Sequence, residues 1–173
     1  VPAAAGTAAP AANAPAPKPV DPQRVRTLEA AANAAPREAT PRVELGNMYF
    51  DAEQYPEAVR WYEQAVQLDP KNVNVSTDLG VAYYYTNQPD RALVQFDKSL
   101  AIDPAHVKTL LNVGIVRAFG KQDLKGASEA WEKVVQLSPN SEEGRAAKQA
   151  LDAVKSAHPD LTGSTAPGTR GSE

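Results

Sequence analysis

Proline recurs along this chain at a nearly constant interval, and this period constrains the fold more than any other feature. The four prolines are Pro36, Pro70, Pro104 and Pro139. Their spacings are 34, 34 and 35 residues, and three glycines share the period: Gly46, Gly80 and Gly114. A fixed period of this length predicts a repeat architecture, in which each unit buries its apolar face only by stacking on its neighbours.

Two amphipathic helices fit inside each period. In one unit the first apolar stripe comprises Leu45, Gly46 and Tyr49, and the second comprises Ala58, Tyr62 and Ala65. The second helix must end before Pro70, because the residue that precedes a proline is disfavoured in the α region. Glycine inside a helix costs about 1 kcal/mol relative to alanine. Its recurrence at one phase therefore predicts a close approach between the two helices of each unit.

The chain divides into three full repeats with a shorter element at each side. The predicted repeats span residues 39–72, 73–106 and 107–141, preceded by a half-repeat at 21–38 and followed by a capping helix at 141–157. The third repeat has one extra residue, which we assign to its turn at residues 120–123. Asp123 is predicted to cap the helix after this turn. Asn140 and Glu143 are predicted to form a capping box for the last helix.

The repeated residues resemble the tetratricopeptide repeat, or TPR. The shared pattern is Leu-Gly-x-x-Tyr, then Ala-x-x-x-Tyr/Phe-x-x-Ala/Ser, then Pro, and it is near-complete in residues 39–72 and 73–106. The resemblance implies an all-α fold, a right-handed superhelical solenoid whose concave groove is lined mainly by first helices. It also implies a non-catalytic adaptor that binds a protein or peptide partner. A narrower similarity, from Ala130-Trp131 to the final Ala-rich helix, is to periplasmic TPR domains of cytochrome c maturation.

Transferring the TPR pattern residue by residue implies a groove with an apolar and aromatic lining. Tyr83, Tyr84 and Tyr85 cannot all face one neighbour, so that with Tyr83 packed the other two turn toward the concave side. The alternative is that the first helix or the N-terminal linker of the chain itself fills the groove. The implied groove residues are Val43, Asn47, Phe50, Asp51, Thr77, Val81, Tyr84, Tyr85, Lys108, Leu111, Ile115 and Phe119.

Some TPR proteins clamp a C-terminal carboxylate with lysine and asparagine side chains. The matching positions in this chain are Val43, Asn47, Asp78, Lys108 and Asn112. Only Asn47 and Lys108 fit, and Asp78 contributes the wrong charge. The resemblance therefore does not extend to a clamp for an acidic tail.

Composition excludes several other classes of function. The formal net charge of −3 lacks the basic excess that is typical of nucleic-acid-binding proteins. The absence of cysteine removes thiolate catalysis and cysteine-ligated metals. The two histidines, His106 and His158, are too far apart in sequence to suggest a metal site, and no catalytic motif is present. We therefore expect no cofactor, no metal and no enzymatic activity.

The two ends of the chain differ in composition from the repeats. Residues 1–20 hold nine alanines and five prolines, which predicts a disordered linker of polyproline type. Residues 158–173 predict a flexible tail. Linkers of this kind often follow a signal peptide or membrane anchor, and the chain begins at Val1 rather than Met. The sequence contains no run of 18 apolar residues, so no membrane span is predicted within it.

These features together predict an adaptor on the periplasmic or another extracytoplasmic side of a membrane. It would be tethered through residues upstream of Val1 and would hold a partner polypeptide in the aromatic groove. Two alternatives remain open at this point. One is a permanent accessory subunit of a larger membrane or surface assembly, and the other is a chaperone of cytochrome c maturation.

Overall fold

The computed structural model describes residues 18–158. Within that range the chain forms eight α-helices and one π-helical turn, Val116–Gly120, and no strand. The helices are α1 (Pro22–Ala34), α2 (Thr40–Asp51), α3 (Tyr55–Leu68), α4 (Val73–Tyr85), α5 (Pro89–Ile102), α6 (Val107–Ile115), α7 (Leu124–Leu137) and α8 (Glu142–Ala157). The predicted all-α fold is confirmed. Most of the predicted linker and tail, residues 1–17 and 159–173, lies outside the described residues.

Helices that follow one another in sequence pack together in pairs. The pairs are α2 with α3, α4 with α5, and α6 with α7, and each pair lies within one predicted repeat. Helix α1 packs on α2 and helix α8 packs on α7, so that both ends of the stack are covered. Helices α3 and α5 end at Leu68 and Ile102, before Pro70 and Pro104 as predicted.

Side-chain caps fix where four of the helices begin. Asp21, Asn72, Asp123 and Ser141 each accept a hydrogen bond from a backbone amide in the first turn of the helix that follows. The prediction for Asp123 is confirmed, whereas the prediction for Asn140 is wrong by one residue. Ser141 is extended with ψ of 169°, and its Oγ accepts from the Gly144 amide at 3.0 Å. Asn140 therefore precedes the cap instead of forming it.

The periodic glycines make room for an aromatic ring from the second helix of the same repeat. A Cβ atom at Gly46 would overlap the ring of Tyr62, and one at Gly80 would overlap the ring of Phe96. In the third repeat the indole of Trp131 occupies the equivalent space over Gly114. The predicted close approach is thus a glycine–aromatic contact, and it explains why the ring and the glycine recur together.

The extra residue of the third repeat lies in the π turn and not in the loop that follows it. The Lys121 amide donates to the Val116 carbonyl at 3.1 Å, so that one residue is looped into the helical hydrogen-bonding pattern. The loop after the turn keeps the geometry of the other repeats. Glu53, Asn87 and Gln122 occupy equivalent places with φ of 60°, 60° and 57°.

Two clusters of buried residues form the core. Tyr62, Leu79 and Phe96 belong to the first, which joins the first two repeats. Trp131 and Leu151 belong to the second, which joins the third repeat to α8. Trp131 is 2% exposed, and its Nε1 donates to the Leu111 carbonyl at 3.2 Å, so the prediction that it is a core residue is confirmed.

Candidate partner-binding groove

The side of the solenoid formed by the first helices carries a contiguous group of aromatic rings. Phe50 at the end of α2 lies edge-on to Tyr55 and to Tyr85, with ring centroids 5.3 Å and 5.8 Å apart. Tyr55 and Tyr85 stack at 4.5 Å with an angle of 13° between the planes, and Tyr84 lies 5.9 Å from Tyr85. We refer to these four residues as the aromatic cluster. Tyr85 is 54% exposed, so the cluster presents ring surface to solvent.

The positions of Phe50 and Tyr84 follow from the repeat. Phe50 and Tyr84 occupy the same place in successive first helices, one period of 34 residues apart. Tyr83, the first of the three consecutive tyrosines, turns the other way and is 6% exposed. Its hydroxyl donates to Glu63 Oε1 at 2.7 Å, and Arg91 lies over its ring. Burial and this hydrogen bond raise the pKa of Tyr83 to about 12.

Four further predicted groove residues are apolar side chains of the first helices. Val43 and Val81 pack with partial exposure against the first core cluster, and Leu111 and Ile115 pack against the second. All four are half-buried, so part of each apolar side chain reaches solvent. Ring contacts join three of the predicted groove residues to one another, Phe50, Tyr84 and Tyr85. That Val43, Val81, Leu111 and Ile115 line the same groove stays a prediction.

Two predicted groove residues, Thr77 and Phe119, lie outside the aromatic cluster. Thr77 is fully buried where α4 meets α6, and its hydroxyl contacts Thr109 Oγ1 at 2.7 Å and donates to the Val73 carbonyl. Phe119 is 73% exposed and lines a cavity of about 240 Å³ beside α8, together with Trp131.

The polar residues of the predicted groove are engaged within the chain. Lys108 Nζ lies 2.7 Å from Asp78 Oδ1, and Asn112 donates to the Lys108 carbonyl. Asn47 accepts a hydrogen bond from the Tyr62 hydroxyl at 2.7 Å. Asp51 is exposed at the end of α2. The groove consequently offers no free pair of basic and amide side chains for a carboxylate.

Sequence reasoning missed Tyr55, which stacks on Tyr85 and completes the cluster. Tyr55 is the first residue of α3, and the repeat pattern requires no aromatic residue at that place. The signal that could have found it is its departure from the period, since Pro89 stands 34 residues later. Burial raises the pKa of Tyr55, with a further contribution from the Glu53 carboxylate.

The last residues of the predicted linker, 18–20, contact the repeats. The Lys18 amide donates to the Ala52 carbonyl at 3.0 Å, and Gln54 Nε2 donates to the Lys18 carbonyl at 2.8 Å. Lys18 Nζ also lies 2.6 Å from Glu53 Oε1, which raises the pKa of Lys18. Residues 18–20 thus attach to the turn between α2 and α3, beside Tyr55.

The described residues hold neither a cluster of metal-binding side chains nor a helix that is long and apolar enough to span a membrane. His106 contacts Thr109 Oγ1 and Asn74 Oδ1, at 2.6 Å and 3.1 Å, and thereby links α6 to α4.

Comparisons with known proteins identify the class of fold. Residues 46–87 match the family model of the TPR repeat. The crystal structure of MamA superposes with a TM-score of 0.72 at 19% identity, covering 80% of this chain and 78% of that one. The first TPR of Spaghetti (RPAP3), bound to the HSP90 peptide SRMEEVD, superposes with a TM-score of 0.60 at 26% identity, covering 82% and 98%.

A third similar structure is the second TPR domain of human RPAP3 in complex with the HSP70 peptide SGPTIEEVD, with a TM-score of 0.59 at 21% identity, covering 66% and 92%. No curated protein sequence matches the chain. Residues 46–87 are therefore a TPR segment, and the described chain has the fold of a TPR solenoid. The narrower similarity to domains of cytochrome c maturation stays a prediction.

Proposed function

We propose that this chain is a non-catalytic adaptor that holds an apolar segment of a partner polypeptide against the aromatic cluster. The observation that carries the proposal is the contiguity of four rings, from Phe50 to Tyr85, on the groove side. Exposed apolar surface of this kind typically marks an interaction site. Tyrosine supplies a large contact area at low conformational cost, and it is enriched among the residues that dominate binding energy.

The electrostatics of the groove favour an apolar partner over an acidic one. The two TPR domains of RPAP3 are complexed with peptides that end in Glu-Glu-Val-Asp. In this chain Lys108 is already paired with Asp78, and Asp51 adds a further exposed negative charge. An acidic C-terminus would have to displace that ion pair, whereas an apolar segment would not. We therefore assign the groove to a partner segment with few charges.

The proposed adaptor acts on the extracytoplasmic side of a membrane. The absence of cysteine in all 173 residues suits an oxidising compartment. The Ala/Pro-rich composition before Lys18 suits a spacer between the repeats and an anchor. Fractionation of cells that produce the natural protein tests this part. Recovery with the cytoplasmic fraction would contradict it, without affecting the assignment of the groove.

A peptide array tests the assignment of the groove. The parent chain, a Tyr84→Ala/Tyr85→Ala variant and a Val94→Ala control are each applied to peptides that range from apolar to acidic. Val94 is a suitable control because it is 56% exposed on α5, in a second helix. We expect apolar peptides to be retained by the parent and by the control, and lost by the double variant. Equal capture by all three folded proteins would place the binding surface elsewhere.

A further inference from the structure

The ordered end of the N-terminal segment fixes where the preceding residues leave the fold. Two backbone hydrogen bonds, to Ala52 and from the Gln54 side chain, and one ion pair to Glu53 hold Lys18 on the turn between α2 and α3. Tyr55 follows Gln54 directly and is a member of the aromatic cluster. The chain that precedes Lys18 therefore starts near the half-buried ring of Tyr55, which stacks on exposed Tyr85.

The chemistry of that preceding segment matches the cluster. Residues 2–17 contain Pro2, Pro10, Pro15 and Pro17, with alanine as the main other residue and no charged side chain. A segment of this composition favours the polyproline II conformation, which has no internal hydrogen bonds and advances about 3.1 Å per residue. Aromatic-lined surfaces bind such segments well, because the extended conformation is already formed and little entropy is lost.

Helix α1, the other part of the chain that could fill the groove, packs at the end of the stack instead. Helix α1 packs on α2, where Arg42 donates to the Ala32 carbonyl and Arg24 pairs with Glu44. These contacts commit α1 to the end of the stack. The sequence suggests two parts of the chain that could fill the groove, helix α1 and the N-terminal segment. Because α1 is held at the end of the stack, the N-terminal segment is the candidate for the aromatic cluster.

We propose that residues 2–17 of this chain bind in cis to the aromatic cluster and compete there with the partner segment. The inference rests on the proposed function, because it makes the same surface self-occupied until a partner displaces the segment. A short tether gives an effective concentration on the order of millimolar. A site with a Kd of about 1 mM or tighter is then at least half occupied. The apparent Kd for a partner equals the intrinsic Kd divided by the unoccupied fraction.

A single spin label tests this in the full chain. The protein has no native cysteine. Ala12→Cys therefore places one nitroxide within the segment, and amide intensities are compared between the oxidised and reduced label by NMR. We expect the amides of Phe50, Tyr55 and Tyr85 to lose at least about half of their intensity, and the amide of Val94 on α5 to keep its intensity.

Two variants separate specific docking from simple tethering. Tyr55→Ala/Tyr85→Ala removes the stacked pair, and Pro15→Ala/Pro17→Ala changes only the segment and leaves every described residue intact. Recovery of intensity at Phe50 in both variants supports the proposal. Loss of intensity that persists in either variant, or no loss in the parent, overturns it. No partner is present in this experiment, so its failure is distinguishable from failure of the peptide array.

Discussion

Replacement of Gly80 by alanine sets two physical effects against each other. Alanine has the higher helix propensity, and this effect alone would stabilise α4 by about 1 kcal/mol. The new methyl group would overlap the ring of Phe96, which is fully buried and cannot move toward solvent. Overpacking of a core typically costs about 1–3 kcal/mol. The net effect is a loss of about 0–2 kcal/mol. Because the methyl group would overlap two ring atoms of Phe96, we expect Gly80→Ala to destabilise the chain by an amount in the upper half of this range, roughly 1–2 kcal/mol.

A double-mutant cycle with Phe96→Leu tests the cause of this loss. Leucine removes the ring that a methyl group at Gly80 would meet, so Gly80→Ala should cost much less in that background. Urea unfolding followed by circular dichroism gives the four free energies of unfolding. A coupling larger than about 0.5 kcal/mol is expected for residues in contact. Stabilisation by Gly80→Ala alone, or an equal effect in both backgrounds, would refute the glycine–aromatic account.

Three further predictions concern stability. Trp131→Ala should lower the free energy of unfolding by roughly 3–5 kcal/mol, because it removes the largest side chain of the second core cluster. The Tm of the variant should therefore lie well below the Tm of the parent. Gln122→Gly should raise the free energy of unfolding by a few tenths to about 1 kcal/mol, and more than Asn87→Gly, because glutamine tolerates positive φ less well than asparagine. The free energy of unfolding should fall as the pH rises from about 10 to about 12. The reason is that Tyr83 binds its proton more tightly in the folded state, where its pKa is about 12, than in the unfolded state. Urea titrations across this pH range check the sign.

The fold is readable from the sequence because its determinants repeat. Gly46 and Tyr62 meet across a helix pair, and the same contact recurs one period later between Gly80 and Phe96. Proline then limits each second helix through a local steric effect that needs no tertiary information. A contact that recurs in every repeat requires the same residue types at a fixed spacing. That spacing is visible in the sequence and predicts the contact.

The candidate site is less readable, because the features that set it apart occur once. The π turn shifts one residue in the helical hydrogen-bonding pattern, and nothing in the composition of residues 116–120 locates the shift, so the sequence does not predict that Phe119 lines the cavity beside α8. Thr77 is buried by the approach of α6, a tertiary contact. Tyr55 joins the aromatic cluster from a turn, where helical periodicity carries no information.

The central claim is that the groove recognises apolar polypeptide through aromatic contact and not through charge. Fluorescence anisotropy tests it most directly, with the apolar array peptide whose capture depends most on Tyr84 and Tyr85, and with SRMEEVD as the acidic probe. We expect the Kd of the apolar peptide to change by less than about threefold between roughly 50 and 500 mM salt, since salt screens only exposed charges. It should weaken at least about tenfold in Tyr84→Ala/Tyr85→Ala. Tighter binding of SRMEEVD, with an affinity that falls steeply with salt, would contradict the account.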